Sequence, residues 1–458
     1  MPGEPRQSLR AFLELLEGRG ELLRIKEEVD PRFQITALVM ELERQRQHPA
    51  LLFERLKGHA LPLATNVNAG RDRLALAMGV EPARLIPEYG ARVKQYLPPR
   101  VLEDAPFRRR TVRGESVDLF GLPILTHFNE DGGPYVTAGL VVARDPFSET
   151  VTCGFHRFHL KERTKMGVSL HSRRRMYEYH RRAEEQGTAL QVAVANGIHP
   201  MISLGSLALL PYQVGQYDPI GGLFGEPVEV VPSPLYGLPV PAWSELVIEG
   251  EILAGVREPE GPFGEFTGYA STRSTQNVFI AKAISQREDA IYQDICPGLS
   301  WEHDLPLAIA REVEIGNALS RAFPNVRAVH VPIFGCGSFI CFISMRKTAE
   351  GQAKQAIFTT LGVDHYLKLV VVVDEDVDVF DEAQVLWAIS TRCQPDRGVF
   401  VVPETMGTLL DPSATDLATT AKMGIDATKP LSGFSSSLTI PERDLDWARA
   451  LIRGLGSR

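Results

Sequence analysis

Residues 150–160 read TVTCGFHRFHL, a run of β-branched and aromatic residues with one glycine and no helical spacing. Extended backbone sends successive side chains to opposite faces, so Thr152, Gly154 and His156 are expected on one side and Cys153, Phe155 and Arg157 on the other. A guanidinium in such a strand needs a carboxylate or phosphate partner, unless it lies on a solvated edge. Runs of the same texture recur at Thr137–Ala143, Ala189–Ala195, Val228–Val231, Ser244–Ile252 and Asn277–Ile284. Turn formers at Asp131-Gly132-Gly133-Pro134 and Asp218–Gly222 divide them, and one basic helix, Arg173–Glu185, interrupts. Many short strands with a single helix predict a barrel-like sheet over residues 111–300 rather than a doubly wound one.

The flanks read differently. Ser8 is placed to cap a helix carrying Leu9, Phe12, Leu13 and Leu16, with Gly18 and Gly20 after it. Asp30-Pro31 opens a second helix through Ile35, Leu38, Val39 and Leu42. Short strands near 50–53 and 61–66 and a helix from Asp72 complete a small α/β domain over 1–110, with Pro98-Pro99 and the arginines after it as a linker. Beyond the central region, a helix opened by Asp304 and Pro306 runs to Phe323. Strands at Val326–Pro332, Phe339–Ser344 and Leu369–Val373 then alternate with helices at Thr348–Leu361 and Asp381–Thr391, which predicts a further α/β domain over 301–430. Residues 431–458 hold a loop and a last helix, Pro441–Leu455, whose Leu445, Ala448, Leu451 and Ile452 form a face expected to dock on a neighbour. The class is therefore a multidomain α+β and α/β chain.

At 458 residues the chain exceeds one compact core, and 44% hydrophobic with 23% charged residues is ordinary for a globular protein. A net charge of -8 speaks against a nucleic-acid partner, so Arg108-Arg109-Arg110, Arg173-Arg174-Arg175 and Arg181-Arg182 read as solvated faces or anion contacts. The five cysteines have no CxxC spacing, which fits reduced thiols in a cytoplasmic protein and no zinc site. No signal segment precedes Leu9 and apolar runs such as Leu369–Val373 are too short to span a bilayer, so no membrane partner is expected. Gly335-Cys336-Gly337 lacks the third glycine of a dinucleotide loop, and Asp374–Asp378 lacks the glycine and terminal glutamate of a calcium loop.

Residues 258–269, EPEGPFGEFTGY, hold two carboxylates, Glu260 and Glu265, separated by Gly-Pro-Phe-Gly. Gly261-Pro262 is a turn signal and Gly264 permits backbone angles closed to other residues, so neither glutamate belongs in a helix interior. A carboxyl beside the apolar Phe263 would have a raised pKa and serve as a general acid near neutral pH; the alternative is an exposed acidic turn. Glu229, in PVEVV, would by alternation face away from Val228 and Val230, the usual place for a solvated acid.

PYVTAG at 134–139, VTCGFHR at 151–157, GEPVEVV at 225–231, EGPFGEFTGY at 260–269 and AKMGIDAT at 421–428 together resemble the UbiD family of decarboxylases. The opening SLRAFLELLEGRGELLRI and the run LWAISTRCQPDRG at 386–398 resemble it too. The resemblance implies a split β-barrel domain binding prenylated FMN, with manganese or magnesium and a potassium ion near its phosphate. It implies Glu265 as proton donor, with Glu260 and Arg157 completing a Glu-Arg-Glu network. Thr152, His171 and Glu229 fall on metal-ligand positions, with threonine where the family normally has asparagine. Phe155, His156, Arg157, Leu170 and His171 fall on cofactor-contacting positions, and Lys422 is similar to a phosphate-facing lysine.

The activity implied is reversible, non-oxidative loss of CO2 from an aromatic or heteroaromatic acid through a covalent adduct with the flavin, an electron sink no side chain provides. A flavin prenyltransferase would supply the cofactor, and a homodimer or hexamer is expected. His303 and Arg311 flank the helix start that borders the substrate pocket in such enzymes. As two cations they would hold a second carboxylate or a polar ring substituent, favouring furan- or pyrrole-type acids; if Arg311 instead pairs with Glu312 or Glu314 at the surface, it plays no such part. The alternatives are phenolic or aryl-acrylic acids, or a flavin-binding homologue without decarboxylase activity.

Overall fold

The computed structural model describes residues 4–170, 175–272 and 274–455, so His171 lies outside the described residues. Near the N-terminus, Ser8 Oγ accepts the Ala11 amide at 3.0 Å, and the helix Leu9–Gly18 buries Leu9, Phe12, Leu13 and Leu16 as its spacing requires. A strand that the sequence did not announce, Leu22–Val29, follows and pairs in parallel with Ala50–Leu56. The second helix begins at Gln34 rather than at Pro31, because Asp30 instead turns the chain by accepting the Arg32 amide at 2.9 Å. Helix Arg71–Met78 comes next. The sheet's fourth strand, Tyr292–Gln293, arrives from far along the chain, which ties the N-terminal region to the end of the central one.

The central sheet has nine strands and is largely antiparallel. Its spine is the pair Leu246–Glu260 and Ser274–Gln286, whose register slips between Glu249 and Gly250 and again between Ile252 and Arg257. Each slip bends the strand and increases local twist, which curls the sheet into a half-barrel. The arginine-rich piece expected as a linker is part of this sheet: Arg110–Arg113 pairs with Ala283–Gln286. Asp218–Gly222, expected as a turn, lies in the helix Tyr217–Phe224. That helix is almost wholly buried, and its packing outweighs the low helix propensity of two glycines.

Helix Trp301–Ala322 starts three residues before Asp304, where Ser300 Oγ accepts the His303 amide at 3.2 Å. It leads into a five-stranded sheet ordered Val326–His330, Ile340–Met345, Leu369–Asp374, Thr419–Ala427 and Val399–Met406. The last two strands were not expected. Helix Glu442–Leu455 buries no residue, and Trp447, Ile452 and Leu455 on it are exposed. All five cysteines are free thiols. Among the described residues no helix is long and apolar enough to cross a membrane.

Candidate active site

The strand Val151–Phe155 ends at the mouth of a cavity of about 480 Å³, enclosed by the half-barrel on one side and the first turns of Trp301–Ala322 on the other. All six residues from Thr152 to Arg157 line the cavity, so the two faces expected from alternation are not separated here: Cys153 and Gly154, inside the strand, border it as do Thr152, Phe155, His156 and Arg157. His156 Nδ1 is 3.2 Å from the Ser169 carbonyl. Ser169 faces the cavity, whereas Leu170 turns into the apolar core behind the sheet and not toward the cavity.

Arg157 joins the two glutamates of the 258–269 stretch. Its Nε and Nη2 donate to Glu260 at 3.0 and 2.9 Å, a bidentate fork, and its Nη1 donates to Glu265. The guanidinium lies 4.7 Å from the centre of the Phe263 ring, so Phe263 stacks on the cation between the two carboxylates. Glu260 closes the long strand and is fully buried; Glu265 lies in the loop beyond and faces the cavity. Burial raises the Glu265 carboxyl above its ordinary value; Arg157 pulls it back, and the neighbouring Glu260 charge pushes it up again. For Arg157, burial works to lower the pKa, but Glu265 and Glu260 carry it above the ordinary value, so it stays charged.

The turn itself is built by close approach. Gly261 has φ +90°, the conformation glycine takes readily. Gly264 is required by space instead: a Cβ there would lie 2.3 Å from the Phe128 ring. Its amide donates to Asp131 at 2.9 Å, and the Gly132 amide donates to the Pro262 carbonyl at 2.8 Å, which pins the loop to the Asp131–Pro134 turn.

Other expected positions part company with this cavity. Glu229 does not line it: its carboxylate is held by Arg100 and, at 2.5 Å, by the Trp243 indole, so the cation and the donor already satisfy it. Among the described residues no three His, Cys, Asp or Glu side chains form a metal-holding group. Lys422 belongs to a separate cavity beside the C-terminal sheet, where its ammonium donates to the Leu361, Asp364 and His365 carbonyls at 3.4, 3.1 and 3.2 Å. It caps the end of helix Gln352–Val363, whose last carbonyls lack intrahelical partners.

The pair of cations also takes a different form. His303 lines the cavity, but burial lowers its imidazole to about 4, so it is neutral at physiological pH. Arg311 pairs with Asp364 at 2.5 Å, not with Glu312 or Glu314, and stacks 4.6 Å over Tyr366, a residue of the cavity wall.

Two features escaped the sequence. Arg175 lines the cavity and donates to the Leu210, Pro211 and Val214 carbonyls, yet has no carboxylate partner among the described residues. Ser203 Oγ, also on the wall, is buried without a hydrogen-bond partner there. A cation lacking a counter-charge, an unmet hydroxyl and a largely apolar volume fit a ring cofactor ending in an anionic group. The arginine run at 173–175 was the available signal, but charge runs on helices usually face water.

Residues 13–93, 100–300 and 306–427 match the N-terminal, Rift-related and C-terminal domains of 3-octaprenyl-4-hydroxybenzoate carboxy-lyase. The UbiD-class enzyme HmfF from Pelotomaculum thermopropionicum, solved with FMN, is 38% identical over 96% of this chain and 98% of its own, with a TM-score of 0.91. An evolved dimeric form of that enzyme with prFMN is 36% identical over 96% and 98%, with a TM-score of 0.87. Vanillic acid decarboxylase of Sedimentibacter hydroxybenzoicus in its closed form is 32% identical over 99% and 100%, with a TM-score of 0.86. With three matched domains in order and this likeness along nearly its whole length, the chain belongs to the UbiD family, and it is a carboxy-lyase.

Proposed function

We propose that the protein removes CO2 reversibly from an aromatic or heteroaromatic carboxylic acid, with Glu265 delivering the proton that replaces it. The observation that carries this is the Glu260–Arg157–Glu265 network on the cavity wall, with one glutamate locked to the arginine and the other raised toward the protonated form. Prenylated FMN, when bound, supplies the electron sink that decarboxylation of an unsaturated carbon requires. Phe155, His156 and Arg157 would border its ring system, and Arg175 with Ser203 would meet its polar end. Arg157, its plane fixed by the fork to Glu260, holds the substrate carboxylate beside Glu265. Once CO2 has left, the Glu265 carboxyl gives its proton to the ring carbon and regains one from solvent.

A furan- or pyrrole-type acid fits the neutral, polar wall at His303. A furan dicarboxylate is a second reading and would require Arg311, which is paired with Asp364 behind the Tyr366 ring, to turn to the cavity. Arg311→Ala would then weaken turnover of furan-2,5-dicarboxylate more than that of furan-2-carboxylate, and equal effects on both remove the dicarboxylate. The vanillic acid decarboxylase likeness supports a phenolic acid as the remaining class.

Manganese or magnesium and potassium are proposed companions of the cofactor. Thr152 is the expected ligand present on the wall, and Glu229 would have to leave Arg100 and Trp243 to join it. The exposed apolar face of Glu442–Leu455 supports assembly with further copies, as a homodimer or hexamer. Co-production with a flavin prenyltransferase, followed by CO2 release from a panel of aromatic and heteroaromatic acids, tests the whole reading. Flavin-loaded protein that releases CO2 from no acid on the panel would overturn it.

A further inference from the structure

One corner of the cavity carries polar groups that the proton-donating network does not use. Asn68 lines the cavity, is 1% exposed, and neither its Oδ1 nor its Nδ2 hydrogen-bonds to any described residue. Buried polar atoms normally have partners, and a carboxamide with both ends unmet is costly to keep. Its backbone has no freedom to turn it elsewhere. The Glu302 carboxylate accepts the Asn66, Val67 and Asn68 amides at 2.5, 2.7 and 3.2 Å and the Thr65 hydroxyl at 3.1 Å. Arg73 holds the Asn66 carbonyl at 2.7 Å from the other side.

Glu302 sits in the first turn of Trp301–Ala322, the turn that also carries His303. His303 Nδ1 is 3.2 Å from the Gly298 carbonyl, which only accepts, so Nδ1 bears the proton and Nε2 keeps a lone pair. The His303 ring meets Phe266 edge-on at 6.4 Å, and Phe266 directly follows Glu265 in the chain. His303 thus packs on the chain neighbour of Glu265, and Asn68, His303 and Glu265 line one cavity, where Asn68 and His303 offer an amide donor and two acceptors with no net charge of their own.

We propose that Asn68 is a specificity-determining residue whose carboxamide hydrogen-bonds an uncharged O–H or ring N–H of the substrate. An N–H or O–H satisfies the acceptors, and a hydroxyl oxygen also takes the Nδ2 donor. A second carboxylate at this corner would face two acceptors and no cation. The assignment of the ligand as substrate rests on the decarboxylase reading above.

The test compares wild type with Asn68→Leu, which keeps the branched shape and removes both polar atoms, in flavin-loaded protein. Equilibrium binding is measured by calorimetry for pyrrole-2-carboxylate and thiophene-2-carboxylate, which differ in the ring N–H, alongside the thermal midpoint without ligand. The expected result is an unchanged or higher midpoint, an unchanged flavin spectrum, and a roughly tenfold rise in Kd for the pyrrole acid alone. Equal weakening of both acids, a falling midpoint, loss of flavin, or no binding of either acid by wild type overturns the proposal. Should Asn68→Leu not fold, Asn68→Ala is read by the same selectivity. Because binding needs no turnover, a protein that binds selectively but releases no CO2 would sink the decarboxylase reading and leave the role of Asn68 standing.

Discussion

Glu260 takes two parallel hydrogen bonds from Arg157, at 3.0 and 2.9 Å, from the end of a strand with no exposure to solvent. The fork fixes the guanidinium plane, so the remaining Nη1 donor is aimed at Glu265 and at the cavity beyond it. Two carboxylates of one short turn are thereby made unequal: one is forked to the arginine at the buried end of the strand, the other faces the cavity.

Replacing Glu265 by glutamine removes the proton and leaves the shape. We expect Glu265→Gln to bind flavin with an unchanged spectrum while kcat falls by roughly 10²–10⁴-fold, the usual worth of a general acid. Steady-state CO2 release beside a flavin absorbance scan reads both quantities.

The pH dependence follows from the direction of the Glu265 shift. Desolvation raises this carboxyl, Arg157 lowers it, and Glu260 raises it. The donor must be protonated, so kcat is full at low pH and falls as pH rises through the raised pKa. Glu260→Gln removes an upward push and frees Arg157 to pull harder, so the alkaline limb should move to lower pH. A limb that stays in place would assign it to another group. The same variant leaves a largely buried guanidinium short of a counter-charge, at a cost of roughly 3–5 kcal/mol in stability, seen as a lower urea midpoint.

Gly264→Ala puts a methyl group 2.3 Å from the Phe128 ring. Overpacking of this kind costs about 1–3 kcal/mol, and here the relief is movement of the loop that carries Glu265. We expect a lower thermal midpoint and a larger fractional loss in kcat than in flavin affinity.

Arg311→Ala leaves the Asp364 carboxylate, only 14% exposed, without its cation and uncovers the Tyr366 ring. A loss of roughly 1–3 kcal/mol in unfolding free energy is expected from chemical denaturation.

Much of this arrangement was legible from residue order, and the parts that were not share a physical cause. The half-barrel followed from short strands separated by turn formers, and the grouping of Glu260 and Glu265 with Arg157 from the resemblance. Leu22–Val29 was missed because its burial pattern is mostly exposed, so it lacks apolar alternation. Asp218–Gly222 signals a turn locally through Asp, Pro and two glycines, and only tertiary burial overrides that in the helix Tyr217–Phe224. Lys422 and Glu229 sit in matching motifs, yet where a side chain points depends on neighbours remote in sequence: three carbonyls at a helix end for Lys422, Arg100 and Trp243 for Glu229. The arginine run at 173–175 marks Arg175 as a solvated face or an anion contact without deciding between them, and Asn68 carries no sequence signal, since an unmet partner is visible only once the fold surrounds it.

The most direct test of the central claim is deuterium incorporation at the ring carbon that loses CO2, followed by NMR in D2O with flavin-loaded protein and its aromatic acid. Wild-type protein is expected to give product deuterated at that carbon, and Glu265→Gln to do so at a rate lower by roughly 10²–10⁴-fold. Deuteration at the wild-type rate by Glu265→Gln would contradict it.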